Sequence, residues 1–316
     1  MTPDIIKHGE KIDRPGLYAM RMSWYHDDCC VGPSISSTGL RTIIHCPAKY
    51  WASSIYNPDG RPMKSSSGFA FGKAAHSLTL EGVLPRREFA VHAFSDFNTN
   101  EGRVGPYGRY KNYRDYKAAW KKRAEALGMT VLSGEDLRTI AEIYQALERH
   151  PFVQAGGLDG MVEMSMIWQD KETGIWLKSR PDVLPLNDAY ADTKFVVDAS
   201  QMATSRSMAN YRYDMQAALV GEGMEKVLGR IMQNAVLFCV EKEFPYIAED
   251  WEFNDRYIAC GRADNHTALR IFRDCLDSGV WPTYTRNTET LGPPDWLEQR
   301  ATGGKRADLG TLEELQ

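Results

Sequence analysis

Two strand-like runs, each carrying an aspartate, constrain this chain more than any other feature. They are Ile175-Trp-Leu-Lys-Ser-Arg-Pro-Asp182-Val-Leu-Pro and Ala189-Tyr-Ala-Asp192-Thr193-Lys194-Phe-Val-Val, with Asn187-Asp188 between them as turn chemistry. A tight hairpin centred near Asn187 would set Asp182 opposite Asp192, within about one residue of register. Opposed residues of an antiparallel pair share a face with Cβ atoms roughly 5 Å apart. Lys194 shares that face and Thr193 points away. Two carboxylates held together repel unless a cation lies between them, and an adjacent ammonium could steer a water or offset charge on a phosphate. That is a layout for a hard-metal site hydrolysing phosphodiesters. The alternative is plain: Asp-x-Lys arises by chance, and alternating charges on a strand often mark a solvated face.

A chain of 316 residues with 43% hydrophobic and 25% charged residues has the balance of a soluble globular enzyme. No apolar run reaches the length of a membrane span, and Met1-Thr-Pro-Asp-Ile-Ile-Lys-His-Gly-Glu holds no signal-peptide apolar core, so a cytoplasmic location without membrane partners is expected. The net charge of −4 excludes a simple basic coat for nucleic acid; positive charge for such a partner must be concentrated locally. Cys29, Cys30, Cys46, Cys239, Cys260 and Cys275 form no Cys-x-x-Cys pair, which argues for reduced, mostly buried thiols rather than zinc or an iron–sulfur cluster.

Along the chain, Ile35-Ser36-Ser37-Thr38-Gly39-Leu40-Arg41 reads as a capped helix start, ended by Pro47. Gly68 to Glu81 reads as a helix rich in small residues that carries His76. Residues 103–123 interleave Arg109, Lys111, Arg114 and Lys117 with tyrosines and Trp120, either a solvated basic helix or a wall contacting DNA phosphates. Ser133-Gly-Glu-Asp136 is close to a capping box. Met161-Val-Glu163-Met-Ser-Met-Ile-Trp168 reads as one alternating strand, with Glu163 either facing solvent or serving as a third carboxylate. Ser205 to Glu222 reads as one helix bearing Tyr213 and Gln216; two strands follow, then a long helix over 255–278. Residues 1–299 are expected to form a single domain and the polar residues 300–316 a loose tail.

Taken in order, these segments resemble the phage exodeoxyribonuclease VIII family of the PD-(D/E)XK nuclease superfamily. The matching pieces include Pro47-Ala-Lys-Tyr-Trp51, Phe71-Gly-Lys-Ala-Ala-His76-Ser-Leu, Lys178-Ser-Arg-Pro-Asp182, Asp192-Thr-Lys194, Tyr213-Asp-Met-Gln216-Ala-Ala and Trp281-Pro-Thr-Tyr284. The resemblance implies an α/β fold with a mixed central sheet flanked by helices and a metal site at one sheet edge. It implies that His76, Asp182, Asp192 and the Thr193 carbonyl bind the metal and that Lys194 positions or deprotonates water. Glu163 and Gln216 would support the centre. Mg²⁺ suits such oxygen ligands, with Mn²⁺ more comfortable beside His76.

The resemblance further implies exonucleolytic digestion of double-stranded DNA from its ends, 5′ to 3′, leaving a 3′ single strand for a single-strand annealing protein. It implies a phage or prophage origin in a bacterial host and a ring-shaped homo-oligomer, trimer or tetramer, whose channel would concentrate Lys and Arg. Arg109, Lys111, Arg114, Lys117 and Tyr213 are the expected DNA contacts. Ser36, Ser37 and Arg41 would either hold a terminal 5′ phosphate at a helix N-terminus or serve as ordinary caps. Relatives usually follow Asp-x-Lys with Thr-Thr and carry Tyr four residues after the glutamine; this chain has Phe195-Val196 and Val220. Those departures motivate an alternative, a non-catalytic DNA-end-binding or assembly protein keeping the nuclease fold.

Overall fold

In the computed structural model, residues 2–61, 67–82, 88–92, 110–185, 188–284, 292–295 and 297 are described. Their strands are β1 (Asp4–Ile5), β2 (Gly16–Ala19), β3 (Ser34–Ser36), β4 (Phe89–His92), β5 (Thr130–Ser133), β6 (Gly160–Val162), β7 (Ser165–Gln169), β8 (Trp176–Ser179), β9 (Val183–Pro185), β10 (Ala189–Val196), β11 (Asn234–Glu241) and β12 (Ala248–Glu252). The helices are α1 (Met22–Tyr25), α2 (Ser37–His45), α3 (Pro47–Ser53), α4 (Ser67–Glu81), α5 (Tyr110–Ala126), α6 (Gly134–Leu147), α7 (Pro151–Gln154), α8 (Gln201–Tyr211), α9 (Tyr213–Gly223) and α10 (Asp255–Ser278). Met1–Trp281 forms one compact unit and Pro282–Gln316 a second. Residues 300–316, expected as a loose tail, lie outside the described residues. No helix among the described residues is long and apolar enough to cross a membrane.

The fold is α/β, with mixed sheets flanked by helices. The one central sheet expected is two five-stranded sheets, ordered β1-β2-β7-β8-β3 and β12-β11-β10-β9-β6. The chain passes from one sheet to the other twice in close succession. Val162 ends β6 in one sheet and Ser165 begins β7 in the other, with Glu163 between them at φ 52°. Ser179 then ends β8, and Val183 begins β9 back in the first sheet. The single alternating strand expected over Met161–Trp168 is therefore broken at Glu163. Its backbone N–H donates to the Asp182 carbonyl at 3.1 Å, one step beyond the Val162–Val183 pair of the β6–β9 ladder.

Strand β10 is the middle strand of its sheet, parallel to β11 and antiparallel to β9. The site strand is thus covered by neighbours on both sides rather than lying at the margin of the sheet. Ala191 pairs with Val183, and one further step along the same ladder sets Asp192 opposite Asp182. Tyr190, Ala191, Asp192 and Thr193 are all buried. A strand covered on both faces normally reads as unbroken apolar sequence, so two polar side chains in that stretch mark a place where burial serves something other than packing.

Helices fix what surrounds β10. The long α10 is capped by Asn254, whose side chain accepts from the Tyr257 N–H, and closes at Gly279 with φ 69°. It packs on α9 so closely that a Cβ at Gly261 would stand 2.2 Å from the Asp214 carbonyl oxygen. The helix expected over Ser205–Glu222 is two helices, α8 and α9, divided at Arg212 with φ 53°. Arg212 holds that conformation by donating to both Asp214 carboxylate oxygens, at 3.0 and 2.8 Å, and by pairing with Asp264 of α10. The capping box of α6 forms as its sequence suggests, between Ser133 and Asp136.

Candidate active site

Four elements converge on the carboxylate pair. β10 supplies Asp192 and Lys194, the crossing before β9 supplies Asp182, α4 supplies His76 and α9 supplies Gln216 and Tyr213. Lys194 Nζ lies 2.5 Å from Asp192 Oδ2. Asp182 Oδ2 accepts the Thr193 backbone N–H at 3.2 Å and stands 3.5 Å from His76 Nδ1. Gln216 Nε2 donates to Asp192 Oδ1 at 2.9 Å and to the Tyr190 hydroxyl at 3.2 Å. The ammonium of Lys194 also sits 5.3 Å from the ring centre of Tyr213.

The two carboxylates are electrostatically unlike. Burial would raise the Asp182 carboxyl, but His76, Lys194 and the Thr193 amide outweigh it and hold Asp182 below its ordinary value. For Asp192 burial dominates; Lys194 pulls down, the Asp182 charge pushes up, and the group ends raised. Burial works to lower Lys194, but Asp192 and then Asp182 overcome it, so the amine is raised and is an ammonium at neutral pH. In that form Lys194 donates hydrogen bonds and offsets negative charge; it is not a base while it holds Asp192.

Whether a divalent ion fits is decided by the side chains themselves. His76 Nδ1 is buried and has no hydrogen-bond partner, a costly state for an imidazole nitrogen unless something else engages it. Asp182 and Asp192 oppose each other on adjoining strands. Among the described residues, no group of three or more His, Cys, Asp or Glu side chains is placed to hold a metal ion. Mg²⁺ does not need one, because it is commonly held by one or two carboxylates, with waters and phosphate oxygens completing the shell. The residues present fit such an ion.

Other expected residues fall elsewhere. Glu163 turns its carboxylate to Arg180, 2.8 Å away. Arg109 lies outside the described residues, as do the side chains of Lys111, Arg114 and Lys117, which stand on α5. Phe195, one of the two departures from the family pattern, meets His76 edge-on with ring centres 5.2 Å apart, and so walls the imidazole on one side.

Beside the carboxylates lies a cavity of about 150 Å³. Ser36, Ser37, Thr38 and Arg41 line it from the start of α2, and Ser179, Arg180 and Gln216 from the other side; no acidic side chain lines it. The expected capping is absent: Ser36 is the N-cap of α2 but makes no side-chain capping bond. Ser37 Oγ, Arg41 Nε and Arg180 Nε are all buried without a hydrogen-bond partner. Each buried unsatisfied donor costs on the order of 1–3 kcal/mol. Three lie around one small cavity, beside the positive end of a helix, where an incoming acceptor would satisfy them. Gln216 belongs to both places. Sequence reasoning missed Tyr190 and Arg180, although Tyr190 shares the β10 face of Asp192 and Arg180 stands two residues before Asp182.

An opposed aspartate pair on adjoining strands, the second member buried and followed two residues on by a lysine, on an α/β core with mixed sheets, defines a PD-(D/E)XK nuclease-like protein. The family described as PDDEXK-like domain of unknown function (DUF3799) matches residues 36–292, and the chain belongs to it. No curated protein matches. The crystal structure of a Eubacterium rectale protein described as a "Putative exonuclease" superposes with a TM-score of 0.53 at 13% identity, over 90% of this chain and 95% of that one, a likeness of fold. The crystal structure of SSO0001 covers 68% of this chain and 87% of its own at 14% identity, with a TM-score of 0.29 that carries no argument.

Proposed function

We propose that this protein is a metal-dependent exodeoxyribonuclease that degrades linear double-stranded DNA from its ends, 5′ to 3′, and leaves a 3′ single strand. The observation that carries the reading is the opposition of Asp182 and Asp192 with Lys194 bound to the latter. Asp182, Asp192, the Thr193 carbonyl and His76 are the groups that would hold Mg²⁺ or Mn²⁺. When bound, the ion supplies charge that activates a water and stabilises the phosphorane-like transition state. Lys194 orients the attacking water and offsets phosphate charge as an ammonium. Gln216 and Tyr190 fix Asp192, so that its orientation is set before substrate arrives. Ser36, Ser37 and Arg41 hold the terminal 5′ phosphate, and Tyr213 flanks the strand beside Lys194. Arg109, Lys111, Arg114 and Lys117 contact the backbone further along.

A ring of three or four copies, with basic residues lining its channel, reconciles the net charge of −4 with a DNA substrate. A phage-type annealing protein would take up the 3′ strand. The test is digestion of end-labelled linear duplex and of covalently closed circular DNA with Mg²⁺ and with Mn²⁺. Linear DNA consumed from its 5′ ends and circles left intact are expected. Cutting of circles would make the protein an endonuclease. Binding of ends without digestion under either metal would make it an end-binding protein.

A further inference from the structure

We propose that Tyr211 is a nucleobase-stacking residue, and that the site takes up an unpaired nucleotide rather than one still paired in the duplex. This deepens the nuclease reading and rests on it for the identity of the polymer; the aromatic platform itself rests on geometry.

Tyr211 is the last residue of α8 and Tyr213 the first of α9. In a continuous helix, side chains two residues apart point roughly 200° apart around the axis and do not meet. Here the two rings stack, with centres 5.7 Å apart and planes 26° from parallel. The break at Arg212 makes this possible. Its φ of 53° and ψ of 51° lie in the left-handed region, a strained place for a residue with a Cβ. Arg212 is held there by Asp214 and by Asp264 of α10. The Tyr211 carbonyl is held in turn by Arg41 Nη1, which donates to it at 2.8 Å. Strain and three clamping side chains are thus spent at a junction whose product is a pair of stacked rings.

The pair leads from the carboxylates to solvent. Tyr213 is half-buried and packs against the main core, with its ring centre 5.3 Å from the Lys194 ammonium that holds Asp192. Tyr211 is 61% exposed although Tyr213 lies against its ring. A lone exposed tyrosine is ordinary on a protein surface. An outer ring with an open face, backed by an inner ring that the core fixes beside the catalytic lysine, is a platform on which one more ring extends the stack. Every nucleobase has a π-face, so such a platform takes any base. A single six-membered ring covers about the area of one base and not of a base pair, which favours a base released from its partner.

The experiment measures equilibrium binding, in EDTA, of three short duplexes. One carries a two-nucleotide 5′ overhang, one carries the same overhang with both nucleotides abasic, and one is flush-ended with the same number of phosphates. Equal phosphate number keeps the backbone electrostatics alike. Wild type should bind the base-bearing overhang about fivefold to a hundredfold more tightly than either of the others, the scale of stacking a base on an aromatic side chain. Tyr211→Ala should erase that preference and leave binding of the abasic overhang within about twofold, because the phosphate contacts persist. Tyr211→Phe, which keeps the ring face, should retain it. Equal binding of base-bearing and abasic overhangs by wild type, or a preference that survives in Tyr211→Ala, overturns the assignment. Loss of the preference in Tyr211→Phe overturns stacking in favour of a hydroxyl contact. A flush end bound as tightly as the base-bearing overhang overturns the choice of an unpaired nucleotide. Digestion of linear duplex with Mg²⁺ by the same preparation separates this from the nuclease reading. Digestion without a base preference removes Tyr211 and leaves the nuclease standing; a base preference without digestion leaves Tyr211 standing and removes the exonuclease.

Discussion

Gln216 Nε2 donates to Asp192 Oδ1 at 2.9 Å, and this one hydrogen bond ties a wall of the cavity at the start of α2 to the buried carboxylate of β10. The cavity and the carboxylate therefore share a side chain, and a change on α9 is felt in both.

Lys194→Ala should reduce digestion of linear duplex by at least about a hundredfold, the scale of losing a charged group that stabilises developing charge. DNA binding should persist. Nuclease assays and gel shifts on the same preparation separate the two; a variant that digests within about tenfold of wild type would remove Lys194 from the chemistry.

Asp192 gives a stability prediction with a definite sign. Its carboxyl is raised in the folded protein, chiefly by burial, so its ionised form is disfavoured on folding at neutral pH. Asp192→Asn removes that cost, and Asp182 remains as a partner charge for Lys194. The variant should be inactive yet melt at or above wild type at pH 7. Its advantage should shrink as pH falls through the raised value and vanish below about 3.9, where the unfolded carboxylate is itself protonated. Thermal melts across that range decide it, and a lower melting temperature at pH 7 would reverse the sign.

Gly261→Ala should destabilise the protein by about 1–3 kcal/mol, because the added methyl meets the backbone of α9 at Asp214 and Met215 rather than a movable side chain. Denaturant melts measure the loss. Since α9 carries Gln216, turnover should fall as well.

Native protein should react rapidly with Ellman's reagent at one thiol and, in denaturant, at six. Cys260 is exposed and the other five cysteines are buried. Cys29, pulled down to about 7 chiefly through its contact with Cys30, stays shielded because it is fully buried. Rapid reaction of a second thiol in the native state would contradict this packing.

The carboxylate register was legible because it follows from local rules: alternation along two runs, with turn chemistry between them. What escaped was non-local. Nothing in an alternating pattern announces that Glu163 takes a positive φ, where the chain leaves one sheet for the other and the carboxylate pairs with Arg180. The division of α8 from α9 at Arg212 depends in part on Asp264, far along the chain. Ser36 and Ser37 have the residue types of caps, and only the folded arrangement exposes that their hydroxyls are not spent on capping.

The two crossings between sheets, at Glu163 and at Arg180-Pro181-Asp182, lie against each other. Asp182 thus sits on a seam, anchored to its opposite bank by a main-chain bond that no side-chain replacement at Asp182 deletes. Either sheet can drift in sequence away from that seam and leave the spacing between the cavity and the carboxylates untouched, whereas an insertion of one residue at the seam would shift both at once.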